Sequence, residues 1–234
     1  MATAAVFGST GLVGSHILQS LLSTDAVSAV QTISRRAPEA ASSANSAKLH
    51  TVVDADNSTW ASKLASLQPK PSIVLSALGT TRADAGSIEA QWKIDHDLNV
   101  DIAKAAKEAG VRTFVFISSA GTRGLVSGAV PYSKMKVGVE DSIKELGFEH
   151  AVIVRPGLIL GQRERPKTPW VVAFVKGLGR ISQVVQDKIG QEGEEIGRAA
   201  VKAALLADEG KAPSNYWILD GNDIVKLGRV EKTE

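Results

Sequence analysis

Val6-Phe7-Gly8-Ser9-Thr10-Gly11-Leu12-Val13-Gly14 is the stretch on which the fold of this chain turns. The residues before Gly8 read as a β-strand, Thr3–Phe7. Those after Gly11 read as a helix, Leu12–Leu22, with apolar side chains at Leu12, Ile17, Leu18, Leu21 and Leu22. Gly8 lets the chain turn sharply off the strand. Gly11 removes a side chain where backbone must approach a pyrophosphate, and Gly14 permits close packing of helix on strand. The helix then aims its unpaired N–H groups and positive dipole end at an anion. Small residues also serve packing alone in tight turns. A strand before the triplet and a helix after it favour binding, which assigns Gly8, Ser9, Thr10, Gly11, Leu12, Val13 and Gly14 to a dinucleotide.

Outward from this turn, short β-rich runs alternate with helical ones. Strands are expected at Val30–Ser34, Leu49–Val53, Ser72–Ala77, Arg112–Ser118 and His150–Arg155, with a further candidate at Tyr216–Leu219. Helices are expected from Asn57 or Ser58 to Leu67, over Ile88–Ala109, Tyr132–Leu146 and Ile196–Ala207, with Gly110 and Gly147 closing two of them. Ala37–Ala47, rich in Ala and Ser, reads as a loop. Continuous apolar runs such as Ile73-Val74-Leu75 and Val152-Ile153-Val154 suit strands covered on both faces. The expected fold class is α/β: a doubly wound parallel sheet of the NAD(P)-binding Rossmann type, with a small C-terminal cap. One domain spans 1–234, with a cofactor-binding core at 1–157 and a substrate or cap region at 158–234.

Composition removes several alternatives. The chain has 234 residues, enough for one well-buried core, and its 44% hydrophobic and 22% charged content suits a globular protein. There is no cysteine, which excludes disulfides and thiolate zinc sites. His16, His50, His96 and His150 lie far apart and show no ligand spacing, so no metal is expected. A net charge of +2 is too small to argue for nucleic acid. No apolar run approaches the ~20 residues that span a bilayer. The first strand starts so early that no cleavable signal is expected ahead of it.

The spacing Gly-x-x-Gly-x-x-Gly resembles that of extended and atypical short-chain dehydrogenase/reductases, and the likeness accumulates along the chain. Its pieces are Gly-Ser-Thr-Gly-Leu-Val-Gly-Ser, Ser34-Arg35-Arg36, Ala77-Leu78-Gly79-Thr80-Thr81-Arg82, Ile117-Ser118-Ser119, Arg155-Pro156-Gly157-Leu158-Ile159 and Ile196–Val201. These pieces resemble a narrower family of fungal "found in mitochondrial proteome" proteins related to the human Tat-interacting protein oxidoreductase. That resemblance implies NADP(H) binding and association with mitochondria at the outer membrane, with a cytoplasmic location as the alternative. It does not supply a substrate.

An acidic residue at the end of the second strand would hold the ribose 2′-hydroxyl of NAD. Here Ser34, Arg35 and Arg36 stand instead, and two guanidiniums can pair a 2′-phosphate and stack on adenine, or remain solvated surface arginines. After the third strand, the family's adenine-binding acid corresponds better to Asp56 than to Asp54, although either could cap a helix. Ala77, Leu78, Gly79 and Thr80 leave the fourth strand at the sheet edge where ligands bind.

The run Ser118-Ser119 and the later Tyr132-Ser133-Lys134-Met135-Lys136 resemble the Ser…Tyr-x-x-x-Lys set of short-chain reductases. Tyr132 and Lys136 share one helix face. An ammonium nearby favours the phenolate and helps Tyr132 serve as general acid/base. Lys136 also bonds the nicotinamide ribose in that scheme, Ser119 holds the substrate carbonyl oxygen, and Ser118 is its substitute. Asp95 is expected to cap the long helix or to order a water. Arg155-Pro156-Gly157 resembles the turn at the carboxamide end of the cofactor, which assigns Pro156 and Gly157 to the site.

Arg163, Arg165 and Lys167, then Trp170-Val171-Val172-Ala173-Phe174-Val175, then Lys176 and Arg180, read as a helix over the pocket or at a dimer seam, with a peripheral membrane face as the alternative. The function expected is an NADP(H)-dependent oxidoreductase acting on a small carbonyl or alcohol. The alternative is a non-catalytic NADP(H)-binding regulator or redox sensor.

Overall fold

The computed structural model describes residues 1–42, 47–124, 130–161 and 190–229. A seven-stranded sheet forms the centre, in the order β3-β2-β1-β4-β5-β6-β9, and every pairing in it is parallel. Its strands are β1 (Ala2–Phe7), β2 (Val27–Ser34), β3 (Leu49–Val53), β4 (Ile73–Ser76), β5 (Thr113–Ile117), β6 (His150–Val154) and β9 (Tyr216–Leu219). A separate two-stranded ladder joins β7 (Leu158–Leu160) to β8 (Gly190–Glu192). The expected doubly wound parallel sheet is therefore present, and the candidate strand at Tyr216–Leu219 is its outer member beside β6.

Two apolar cores form because each strand sends alternate residues to opposite faces. Ala4 and Val6 of β1 join one core with Ile17, Leu18 and Leu21 of α1 (Leu12–Ser23). Ala5 and Phe7 join the other with Trp60 and Leu64 of α2 (Trp60–Ser66). The second core also takes Leu98 and Ile102 of α5 (Leu98–Glu108) and Val139 and Ile143 of α6 (Pro131–Leu146). On the first face, α7 (Gly193–Asp208) presents Ala199, Ala200, Ala203, Ala204 and Ala207, small side chains that let helices approach closely. It is followed, after β9, by α8 (Gly221–Gly228), closed at its start by an Asp220–Asp223 capping box.

Three expectations change in detail. The second strand starts at Val27 rather than Val30, because it pairs with β1 from Ala2 onward. The loop after it contains a short 3-10 turn at Glu39–Ser42. The long helix from Ile88 is not uniform: after α3 (Arg82–Ala85), α4 (Ile88–Trp92) runs through a π-helical turn at Lys93–Asp97 into α5. The segment 163–180 lies outside the described residues.

Candidate functional site

The strand order reverses between β1 and β4, and crevices at such points hold ligands in open α/β sheets. The two strand ends are tied together there by the Ala77 N–H donating to the Phe7 carbonyl at 3.0 Å. Gly8 follows β1 with φ +79°, and a Cβ on it would meet the Ala77 carbonyl carbon at 2.7 Å. A Cβ on Gly14 would lie 2.0 Å from the Gly8 carbonyl oxygen, so α1 packs directly on the turn. The Gly11 N–H closes that turn onto Gly8 O at 2.9 Å.

Helix α1 then starts at Leu12 with Gly11 as its N-cap, no side-chain capping bond and no acidic residue in its first turn. Its opening N–H groups therefore face the cleft without a capping side chain of their own. A cleft of about 1090 Å³ runs from this point past Gly79 to Tyr132 and Lys136. That is just above the ~300–1,000 Å³ typical of cofactor and ligand sites. The N–H donors and the glycine cradle fit a dinucleotide diphosphate.

Ser9, Thr10, Gly11, Leu12 and Val13 line the cleft, as do Ala77, Leu78, Gly79 and Thr80. Gly8 and Gly14 shape the turn from behind. Of the two arginines, Arg36 lines the cleft and Arg35 does not. Ser34 is buried, and its hydroxyl donates to the Arg36 carbonyl at 2.7 Å, fixing the bend that carries Arg36.

Asp56 stays outside the lining and caps the turn before α2, accepting from the Ser58 N–H at 3.0 Å and hydroxyl at 2.6 Å. Asp54 accepts from Lys63 and from the Thr59 hydroxyl, and these bonds hold its carboxyl down to about 2.

Near the other end of the cleft, Lys136 is buried. Its Nζ donates to the Ile117 carbonyl at 3.1 Å and lies 4.7 Å from the centre of the Phe116 ring. Burial lowers its pKa, opposed by the charges of Asp95 and Glu140. Tyr132 lies one helical turn before it on the cleft wall, 37% exposed.

Asp95 does not cap the long helix. It sits inside the π-helical turn, is 1% exposed, and lines the cleft. Its Oδ1 accepts from the Thr80 N–H at 2.6 Å and its Oδ2 from Gln91 Nε2 at 3.2 Å. The extra residue of a π turn re-aims side chains, and here it turns a carboxylate toward the loop after β4. Asn99 reinforces the same junction by accepting from the Ser76 hydroxyl at 2.6 Å.

Ser118 lines the cleft, whereas Ser119, expected to hold the substrate oxygen, does not. The Ser119 hydroxyl makes only a 3.4 Å contact with the Ala120 carbonyl. Pro156 and Gly157 are also outside the lining: the Pro156 carbonyl accepts from Ala120 N–H at 2.7 Å, and the Gly157 N–H donates to Gln191 Oε1 at 2.8 Å.

The sequence reading overlooked Glu140, which is fully buried among Ser118, Arg123 and Arg155. The signal was available, since Tyr132, Lys136 and Glu140 recur at helical spacing on one face of α6. The Tyr216 hydroxyl donates to the Glu140 carbonyl at 3.3 Å, and burial, aided by the Glu140 charge, pushes that phenol up to about 12.

Comparisons with known proteins agree with this architecture. Residues 4–176 match the model of the "NAD dependent epimerase/dehydratase family". The chain is 60% identical over 234 residues to "Protein fmp52-2, mitochondrial" of Aspergillus terreus, covering 100% of each. It is 60% identical over 235 residues to "Protein fmp-52, mitochondrial" of Neurospora crassa, covering 98% of this chain and 96% of that one. Among solved structures, the YIR035C short chain dehydrogenases/reductase of Saccharomyces cerevisiae superposes with a TM-score of 0.71 at 18% identity, covering 98% of this chain and 100% of that chain. MoeE5 in complex with UDP-glucose and NAD gives a TM-score of 0.67 at 16% identity, covering 96% of this chain and 80% of that chain. At such identities the structural likeness is one of fold.

Proposed function

The chain belongs to the NAD dependent epimerase/dehydratase family, and on that premise we propose that it is an NADP(H)-dependent oxidoreductase acting on a small carbonyl or alcohol. The observation that carries this reading is the meeting of Tyr132 and Lys136 with the diphosphate-binding turn in one cleft. A nicotinamide held there supplies or accepts the hydride. The chain's own part is to bind, to orient and to move a proton. The N–H groups at the start of α1 hold the diphosphate. In this reading the Lys136 ammonium, buried and fixed by the Ile117 carbonyl, favours the phenolate of Tyr132 and bonds the ribose. Tyr132 then gives a proton to the substrate oxygen in reduction and takes it in oxidation.

Arg36 supports NADP(H) over NAD(H), because a guanidinium on the cleft wall after β2 can pair a 2′-phosphate bidentately. The names of the relatives support a mitochondrial location. The sequence of 163–180, with basic residues around Trp170 and Phe174, supports peripheral docking on the outer membrane. Among the described residues no helix is long and apolar enough to cross a membrane.

The test is a screen of small aldehydes and ketones with NADPH, run beside Tyr132→Phe. Turnover that is lost in the variant supports the enzyme. Tight NADPH binding without turnover of any carbonyl replaces it with a cofactor-binding regulator.

A further inference from the structure

Ser118 has two hydrogen-bond donors, and both point away from the cleft that it lines. Its N–H donates to the Val154 carbonyl at 2.8 Å, and its hydroxyl lies 2.5 Å from Glu140 Oε1. The proton in that second contact belongs to Ser118, because Glu140 is ionised. Arg155 donates to both of its oxygens, from Nε at 3.0 Å and Nη2 at 2.5 Å, and Arg123 donates from Nε at 3.1 Å. Burial pushes the Glu140 carboxyl up, but the bonds from Arg155, Ser118 and Arg123 outweigh it and hold the carboxyl below its usual range. A carboxylate accepts only, and a serine has one proton to give.

We propose that Glu140 is a positioning residue that accepts the hydrogen bond of the Ser118 hydroxyl and so makes Ser118 a hydrogen-bond acceptor at the cleft wall, selecting a substrate that presents a hydroxyl there rather than a carbonyl oxygen. This rests on the cleft being the substrate site of the oxidoreductase described above. Ser118 thus discriminates between the alcohol and carbonyl forms of a substrate at this point of the wall. A carbonyl oxygen finds its donor elsewhere, at Tyr132.

Glu140→Gln inverts the arrangement. Oε2 receives two guanidinium bonds, one from each arginine, so the amide oxygen of glutamine settles there. Its NH2 then occupies the Oε1 position, gives up the single bond from Arg155 Nε there, and donates to Ser118, whose own proton turns to the cleft. Ser118→Ala removes the acceptor and leaves Glu140 with both arginines, which guards against a variant that fails to fold.

Two measurements test this. A neutron structure of the deuterated protein shows directly where the Ser118 hydroxyl deuteron lies. A deuteron on the line to Glu140 Oε1 supports the proposal, and one directed into the cleft overturns it, whether or not any substrate is known. In solution, ligand-observed NMR gives dissociation constants for cyclohexanol on the NADPH complex and cyclohexanone on the NADP+ complex, neither of which can react. Glu140→Gln weakens cyclohexanol and tightens cyclohexanone, each by roughly three- to tenfold, and Ser118→Ala weakens cyclohexanol alone. Equal losses for both probes in both variants mean that Glu140 only holds the fold, and overturn the proposal. Absence of binding by either probe to the wild type counts against the small-alcohol reading itself and leaves the neutron result to decide the polarity of Ser118.

Discussion

The Cβ position of Gly14 falls 2.0 Å from the carbonyl oxygen of Gly8, whereas that of Gly11 falls 3.3 Å from the same oxygen. Two glycines of one motif therefore do different work. Gly14 is a packing requirement, since backbone would have to move to admit a methyl group. Gly11 admits one there with a shift of a few tenths of an ångström, has an extended conformation open to alanine, and faces the cleft. Gly14→Ala is expected to destabilise by on the order of 3 kcal/mol, read as a fall in thermal midpoint. Gly11→Ala is expected to cost under about 1 kcal/mol of stability but to weaken NADPH binding at least about tenfold in titration calorimetry. Equal stability losses in the two variants would contradict this division.

Lys136 is buried at a cost in desolvation. Lys136→Met removes a buried charge from beside Phe116 and Ile117, and the thermal midpoint should rise by about 2–4 °C while NADPH binding weakens. The pH dependence has a definite sign. The folded pKa lies below 10.5, so the unfolded chain holds the proton longer, and the stability of the wild type rises with pH across that interval. The advantage of the variant should therefore shrink as pH is raised toward 10.5 in thermal melts. A variant less stable than the wild type at every pH would show that the Lys136 contacts outweigh its desolvation.

Glu140→Ala leaves Arg155 and Arg123 facing an emptied buried position and should cost roughly 3–5 kcal/mol at neutral pH. The Glu140 carboxyl has its folded pKa below 4.5. Its stabilisation is complete above the unfolded value and is lost as pH falls through the folded value. The gap between wild type and variant in urea midpoint should accordingly close on acidification below 4.5 and stay constant between neutrality and that point. A gap that persists at low pH would mean that side-chain packing, not charge, accounts for the loss.

Arg35 and Arg36 adjoin in sequence but only Arg36 lines the cleft. Arg36→Ala is expected to reduce the preference for NADPH over NADH by about tenfold or more, and Arg35→Ala by less than about twofold. Calorimetry with both cofactors on both variants separates them. An equal effect of the two substitutions would place both guanidiniums at the phosphate.

The amino-acid sequence determined the fold class, because the signals for it are local. A glycine triplet between strand and helix, apolar runs of strand length and glycines closing helices each act within a few residues of themselves. That Tyr132 and Lys136 share one helix face was legible for the same reason, the two being one turn apart. What only the tertiary structure decided are relations between residues distant in the chain. Ser118 rather than Ser119 reaches the cleft, Arg36 rather than Arg35 lines it, and Asp95 turns inward through a π-helical turn to receive the Thr80 N–H. The pairing of Glu140 with Ser118, Arg123 and Arg155 belongs to the same class. Adjacent residues at a strand end point to opposite sides, and which side meets the ligand depends on the register of the sheet and on the helices packed across it. No spacing along the chain carries that information, because the partners are brought together by burial of the two cores rather than by proximity in sequence.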